Sequence, residues 1–378
     1  MKKVGIVTIY DNNNYGNRLQ NYALQEYVSS LGFDTMTIQN IPYKDLNNGT
    51  FASWLRKVKR FALNLPPIRS QTRNKEIQQW KSHLYGHHDN PVRHEAFSRF
   101  NQMIRFYPKV IGYYNMKKLN NQFDFFITGS DQVWNVLLGR GTGLDFLTFA
   151  DRQKRISYAA SISLDAIPDE YRKRFRRYLR GMKAISLRER QASEMVKQDF
   201  GVACTSVIDP TMLVERTRWV ELAENANASL PENYLLCMFL GDQSDLDAVL
   251  EAAKQRHQQV VWLNDPNHPE IYRFGPLEFL YAVRHAGMFL TDSFHGCVFS
   301  ILFHTPFYVI RRRGEADYMY SRIQSLLDLF GLQSRQWVSG TEMAREEVEA
   351  SVWEKADVIL QEERCKAERF LRTALNLE

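Results

Sequence analysis

One acid, one hydroxyl and one imidazole stand together in the stretch Thr291-Asp292-Ser293-Phe294-His295-Gly296. A histidine there can move a proton near neutral pH. A hydroxyl beside unpaired backbone N–H groups can hold an anion. The apolar run before it, Met288 to Leu290, reads as a strand. Cys297 to Phe303 reads as an apolar helix stopped by Thr305-Pro306, and Phe307 to Ile310 as a second buried strand. Gly296 is read as the tight turn between the first strand and the helix. In an open α/β sheet, ligands sit at this edge, outside the carboxyl ends of the strands. The plainer reading makes His295 a strand-end histidine that only satisfies backbone carbonyls.

Other strand ends carry groups of the same kind. Lys3 to Ile9 reads as a strand and Asp11 to Asn17 as a polar loop containing Gly16. Asn13, Asn14, Tyr15 and Asn17 can hydrogen-bond a sugar or a phosphate, or form no more than an Asn-rich turn. A dinucleotide fingerprint is absent, because the loop lacks GxGxxG. The strand Phe123 to Thr128 runs into Gly129-Ser130-Asp131-Gln132, which again puts small and polar groups at a sheet edge. The strand Ala184 to Leu187 ends at Arg188-Glu189-Arg190. Arg188 can pin a carboxylate or phosphate with two parallel bonds, or simply pair with Glu189 at a surface. Arg311-Arg312-Arg313 follows the strand that ends at Ile310, close to His295 if the two strands are parallel neighbours.

The elements that must position these groups alternate strand and helix, which implies parallel α/β sheets. A helix over Leu19 to Leu31 and a strand over Phe33 to Ile38 complete the first βαβ unit. Further strands are expected at Arg155 to Ala160, Tyr234 to Phe239 and Val260 to Leu263. Helices are expected near 73–84 and 94–105, and over Tyr171 to Met182, Leu246 to Gln255 and Pro276 to His285. Asp209-Pro210-Thr211 reads as the hinge into a second half. Met343 to Leu375 is a long charged helical region. At 378 residues the chain is too long for one ordinary core, so two domains are expected. The divisions read as 1–210, 211–345 and a C-terminal helical segment 346–378.

Composition narrows the partners. The chain is 44% hydrophobic and 24% charged, which describes a globular protein rather than a disordered one. No stretch approaches the roughly 18 apolar residues of a membrane span, and no early segment has the apolar core of a signal peptide. Cys204, Cys237, Cys297 and Cys365 are far apart, without a CxxC pair, and read as buried thiols of a reducing cytoplasm. They offer no zinc site, and no other metal-ligand cluster is seen. A net charge of +6 suits an anionic partner, but no nucleic-acid-binding pattern accompanies it. Residues 46–75 hold no acid, and 51–65 reads as a basic amphipathic helix with Trp54 near one end. Such a helix can lie on an anionic membrane surface or pack on its domain with a solvated basic face.

The motifs taken together resemble the polysaccharide pyruvyl transferase family. The pieces that carry the resemblance are Tyr15-Gly16-Asn17-Arg18-Leu19-Gln20, Phe123-Asp124 leading to Gly129 through Asn135, and Ser157 through Ser161. Ser186 through Arg190, Asp209-Pro210-Thr211 and Asp292 through Gly296 complete them, in order, over roughly residues 3–330. The resemblance implies two Rossmann-like domains facing a cleft, as in GT-B glycosyltransferases, with the C-terminal helix packed back on the N-terminal domain. It implies transfer of a pyruvyl unit from phosphoenolpyruvate onto two hydroxyls of a sugar, forming a cyclic ketal, with no cofactor or metal. His295 falls on the family's His-Gly donor-site position, with Asp292 to orient it or act as base. Arg188, Ser293, Gly296, Arg311 and Arg312 fall on the donor side. Tyr15, Asn17, Gln20, Ser130, Asp131 and Gln132 fall on the acceptor side. Members often carry an Arg two residues before the His, where this chain has Ser293; Arg311 or a neighbour is the expected substitute.

Two other readings stay open. A nucleotide-sugar glycosyltransferase of the same architecture fits the His-Gly run that opens the 297–303 helix. Such enzymes often carry an acid near Phe303 to hold the ribose, and this position is apolar. A non-catalytic glycan-binding relative is the third reading.

Overall fold

A computed structural model describes residues 1–11, 13–39, 91–111, 116–241, 259–265, 267–312, 320–337 and 348–377. The expected helices at 51–65, 73–84 and Leu246 to Gln255 lie outside the described residues, as does Arg313. Two all-parallel sheets form the frame. The first has six strands in the order β2-β1-β3-β4-β5-β6: β1 Lys3–Val7, β2 Asp34–Thr37, β3 Phe125–Thr128, β4 Arg155–Ala160, β5 Ala184–Leu187 and β6 Thr205–Ser206. The second has five in the order β11-β10-β9-β7-β8: β7 Leu235–Met238, β8 Val260–Trp262, β9 Met288–Thr291, β10 Phe307–Ile310 and β11 Gln336–Trp337. Apart from the short sixth strand, the two orders are the same. Each sheet reverses direction once, between β1 and β3 and between β7 and β9. Strands β3, β7, β9 and β10 are buried at every residue, as parallel strands covered on both faces must be.

The expected two Rossmann-like halves are therefore present, and their cores are joined. Helix α1 (Tyr15–Ser30) places the Tyr15 ring between Phe97 of α2 (Pro91–Asn101) and Phe279, with centroids 5.5 and 5.0 Å away. Tyr22 meets Trp219, and Trp219 meets Phe299 edge-on at 5.1 Å. One apolar cluster runs from Val4 and Leu19 through Phe279 and Phe299 to Leu360 and Leu371. Arg93 of α2 stitches the same seam: it donates to Tyr15 Oη at 2.7 Å, to the Tyr272 carbonyl at 2.8 Å and to Asn264 Oδ1 at 2.9 Å.

The long C-terminal helix, Ala350–Ala374, packs back across both halves. Near its start Trp353 stacks on His304; near its end Arg364 donates to the Met212 carbonyl at 2.7 Å, and Lys183 caps the Ala374 carbonyl at 2.6 Å. Two of the four cysteines depart from the expected burial. Cys237 and Cys297 are buried, but Cys204 is half-buried and Cys365 is exposed on the outer face of this helix.

Candidate active site

Two helices start where the sheets reverse, and their N-termini meet. Helix α1 follows β1 and begins at Tyr15, four residues earlier than its apolar pattern implies. The reason is a cap: the Asn14 side chain accepts from the Asn17 N–H. Helix α7 (Phe294–Phe303; α3 to α6 are Asp169–Leu179, Arg190–Phe200, Arg216–Glu224 and Pro276–His285) follows β9. It begins three residues earlier than expected because Ser293 caps it, accepting from the Gly296 N–H at 3.3 Å. His295 thus stands in the first turn of a helix. Gly296 is helical and makes no tight turn: it is glycine because a Cβ there would come 2.9 Å from Thr291 Oγ1. Both helix dipoles present their positive ends to this junction.

The His295 ring fills the space left by another glycine. A Cβ on Gly16 would lie 2.1 Å from His295 Nδ1. Gly16→Ala therefore cannot coexist with the present imidazole position. We expect it to displace the ring, to destabilise the protein by about 1–3 kcal/mol as overpacking does, and to cut activity. Chemical denaturation and steady-state kinetics read the two effects.

His295 is 7% exposed, at the seam between the halves rather than inside either one. Its Nε2 lies 3.6 Å from Asp209 Oδ2 and has no hydrogen-bond partner. Asp209 is held firmly from other sides. Arg188 Nη1 donates to its Oδ2 at 2.9 Å, and the Thr211 N–H and hydroxyl bond its Oδ1 at 3.1 and 2.8 Å. Ser130 Oγ sits 2.9 Å from Oδ2 and 3.0 Å from the Ala159 carbonyl. Burial alone would raise the Asp209 pKa, but His295, Arg188 and the Thr211 N–H outweigh it and hold the carboxyl well below the usual range.

Arg188 is the hub. Burial disfavours its charge, yet Asp209, Glu189 and Asp131 overcome this and raise its pKa. Its guanidinium lies over the Phe294 ring at 4.1 Å. Its Nε and Nη2 are buried without hydrogen bonds, although Glu189 and Asp131 stand 3.6 and 3.8 Å away. Asp131, with φ of 68°, turns its carboxylate towards this hub and accepts from Asn17 Nδ2 at 3.2 Å. Burial works against its charge, but Arg188, His295 and Arg322 together keep its pKa below normal. Gly129 before it has φ of 116°, and a Cβ there would strike the Tyr158 carbonyl at 2.1 Å.

The structure brings together Arg188, His295, Asp131, Asn17 and Ser130 from the residues singled out in the sequence. Asp292 is engaged elsewhere. Its two oxygens accept from the Leu240 and Gly241 N–H groups, each at 2.8 Å, and from Arg312 Nε at 2.8 Å. The carboxylate beside the imidazole is that of Asp209. Arg311 lies over the Tyr320 ring. Gln20 and Ser130 bond each other, Gln20 Oε1 accepting from the Ser130 N–H at 3.0 Å. Gln132 accepts from Asn135 Nδ2 at 2.7 Å, and the Tyr15 hydroxyl accepts from Arg93. Gln20, Gln132 and Tyr15 brace the loops around the cluster, while the Ser130 hydroxyl bonds Asp209 within it. Sequence reasoning passed over Asp209, read as part of a hinge, and Arg322, which sits in an unremarked helix. A carboxylate before Pro-Thr can be recognised as a cap; nothing local marks Arg322.

The arrangement offers three buried side-chain nitrogens without hydrogen bonds, Arg188 Nε and Nη2 and His295 Nε2, next to ionised carboxylates and two helix N-termini. It can bind a small anion and supply a proton beside it.

Among solved structures, the chain is similar to UDP-N-acetylglucosamine 2-epimerase from Rickettsia bellii, at 8% identity and TM-score 0.46, covering 100% of this chain and 98% of that one. It is similar to UDP-GlcNAc 2-epimerase from Methanocaldococcus jannaschii at 12% identity and TM-score 0.46, covering 96% and 99%. A glycosyltransferase from Rickettsia africae follows at 9% identity and TM-score 0.43, covering 98% and 99%. No curated protein sequence matches the chain. The family model for polysaccharide pyruvyl transferase matches residues 14–313, and the chain belongs to that family.

Proposed function

We propose that this protein moves a pyruvyl unit from phosphoenolpyruvate onto two hydroxyls of one sugar in a polysaccharide or its lipid-linked precursor. The observation that supports this most is the set of unbonded donors on Arg188 and His295, held at the seam by Asp209. Phosphoenolpyruvate carries a carboxylate and a phosphate on one enol. Arg188 binds one of these anions. His295 gives a proton to the methylene carbon, and the first sugar hydroxyl adds to C2 with loss of its proton to a carboxylate, for which Asp131 is the nearest acceptor-side group. Phosphate leaves with the bonding electrons and takes the proton held by the carboxylate; the second hydroxyl attacks C2, returns its proton to His295, and the ketal closes. The Asp209 carboxylate stands 3.6 Å from the imidazole Nε2 and anchors Arg188 beside it. The chemistry invokes no cofactor or metal.

We place the enzyme in the cytoplasm, at the inner membrane face if its acceptor hangs on a lipid. No described helix is long and apolar enough to cross a membrane. Thermal melts in phosphoenolpyruvate, and separately in sugar nucleotides, test the reading. Phosphoenolpyruvate at about a hundredfold excess over its Kd should stabilise the protein by about 2.7 kcal/mol. Stabilisation by a sugar nucleotide and none by phosphoenolpyruvate would replace the proposal with a glycosyltransferase reading. Tight glycan binding without turnover of either donor would replace it with a non-catalytic one.

A further inference from the structure

We infer that Arg322 is the second cationic arm of the anion site at the seam, taking one anionic group of the ligand while Arg188, beside His295, takes the other. On the donor reading above, on which the identity of the ligand rests, that ligand is phosphoenolpyruvate. Arg322 belongs to helix α8 (Ser321–Phe330), beyond the residues 14–313 that match the family. It is 7% exposed, in a helix whose other buried residues are Ile323, Leu326, Leu327 and Phe330.

Its placement is the argument. The guanidinium of Arg322 lies 5.9 Å from the Phe294 ring, the same ring that Arg188 covers at 4.1 Å. One arginine arrives from the C-terminal half and the other from the N-terminal half. Burial, and then the Arg188 charge, lower the Arg322 pKa to about 10, with Asp131 acting the other way. Two like charges buried near one ring repel, and a dianion between them removes that repulsion. Arg322 also lines a recess with Asp292, Ile310, Arg312, Tyr320 and Ile323. In that wall Arg312 bonds Asp292, and Arg311 covers Tyr320. Among the described residues, Arg322 is the arginine of this side that shares a ring with Arg188. The motif position that resembles an arginine site in other members holds Ser293, whose oxygen caps α7. The missing charge arrives from a different helix.

Calorimetric titration of wild type and Arg322→Gln with inorganic phosphate and with phosphoenolpyruvate tests this, alongside kinetics. We expect both anions to bind at least about tenfold more weakly to the variant, with KM rising in parallel and kcat changing far less. Arg322→Lys should recover part of the loss, and so should Ser293→Arg added to Arg322→Gln, which a merely structural role would not allow. Unchanged affinities overturn the inference. If Arg322→Gln does not fold, wild-type crystals soaked with phosphoenolpyruvate decide. A ligand oxygen within hydrogen-bond reach of Arg322 supports it, and a ligand held by Arg188 and His295 alone overturns it. Wild-type protein that binds phosphate but not phosphoenolpyruvate sinks the donor reading, and the phosphate affinities of the variants still judge Arg322. Binding of neither anion overturns both.

Discussion

His295→Ala is expected to lower kcat for pyruvyl transfer by about 10²- to 10⁴-fold, the usual worth of a positioned general acid. The protein should still fold. The ring makes no hydrogen bond through Nε2, and Asp209 keeps its bonds from Arg188 and Thr211 without it. The expected signature is therefore a melting temperature close to wild type with activity nearly gone. Steady-state kinetics and a thermal melt on one preparation read both. A variant with full activity removes His295 from the mechanism and the plainer reading of it as a structural histidine prevails.

Asp209→Ala should do the reverse, acting first on the fold. It leaves the Arg188 guanidinium, with 2% of its side chain exposed, without its closest counter-charge. Breaking one partner out of a buried pair typically costs about 3–5 kcal/mol. The Thr211 N–H and hydroxyl lose their acceptor as well. Urea denaturation should show that loss, and a shift below about 1 kcal/mol would mean that Glu189 and Asp131 suffice to hold Arg188. The same carboxylate sets an acid limit. Its folded pKa lies below its unfolded value, near 3.9. Its contribution is thus complete above about pH 4 and is lost as pH falls further, towards the folded value. Asp131, also lowered, acts in the same direction. Wild-type stability should fall steeply below about pH 4, and Asp209→Ala should flatten that limb.

The strands were the legible part of this chain. Arg155–Ala160 and Ala184–Leu187 are bounded as the sequence implies, because parallel strands covered on both faces are mostly apolar, and the buried Ser157 and Ser186 satisfy each other's backbone carbonyls. The helix starts were misjudged for one reason. Asn14 and Ser293 are polar, so they and the residues after them read as loop, yet each is a cap whose side chain lets the helix begin inside the polar stretch. The cluster around Arg188 was half legible. Residues at strand ends announce themselves, as Arg188, Asp131 and His295 did. Pairings between distant strand ends do not, so the sequence could not say that Asp209 rather than Asp292 faces the imidazole. Arg322 carries no local mark at all, because its importance arises from where α8 is laid down against the other half.

The shared apolar seam has a consequence for how this enzyme can change. Gly16 fits only the His295 ring that faces it, Arg93 bonds the Tyr272 carbonyl of the other half, and Trp219 meets Tyr22 across the seam. A chimera that married one lobe to a relative's other lobe would inherit mismatched contacts along that seam. A change on one half at this seam therefore demands a matching change on the other.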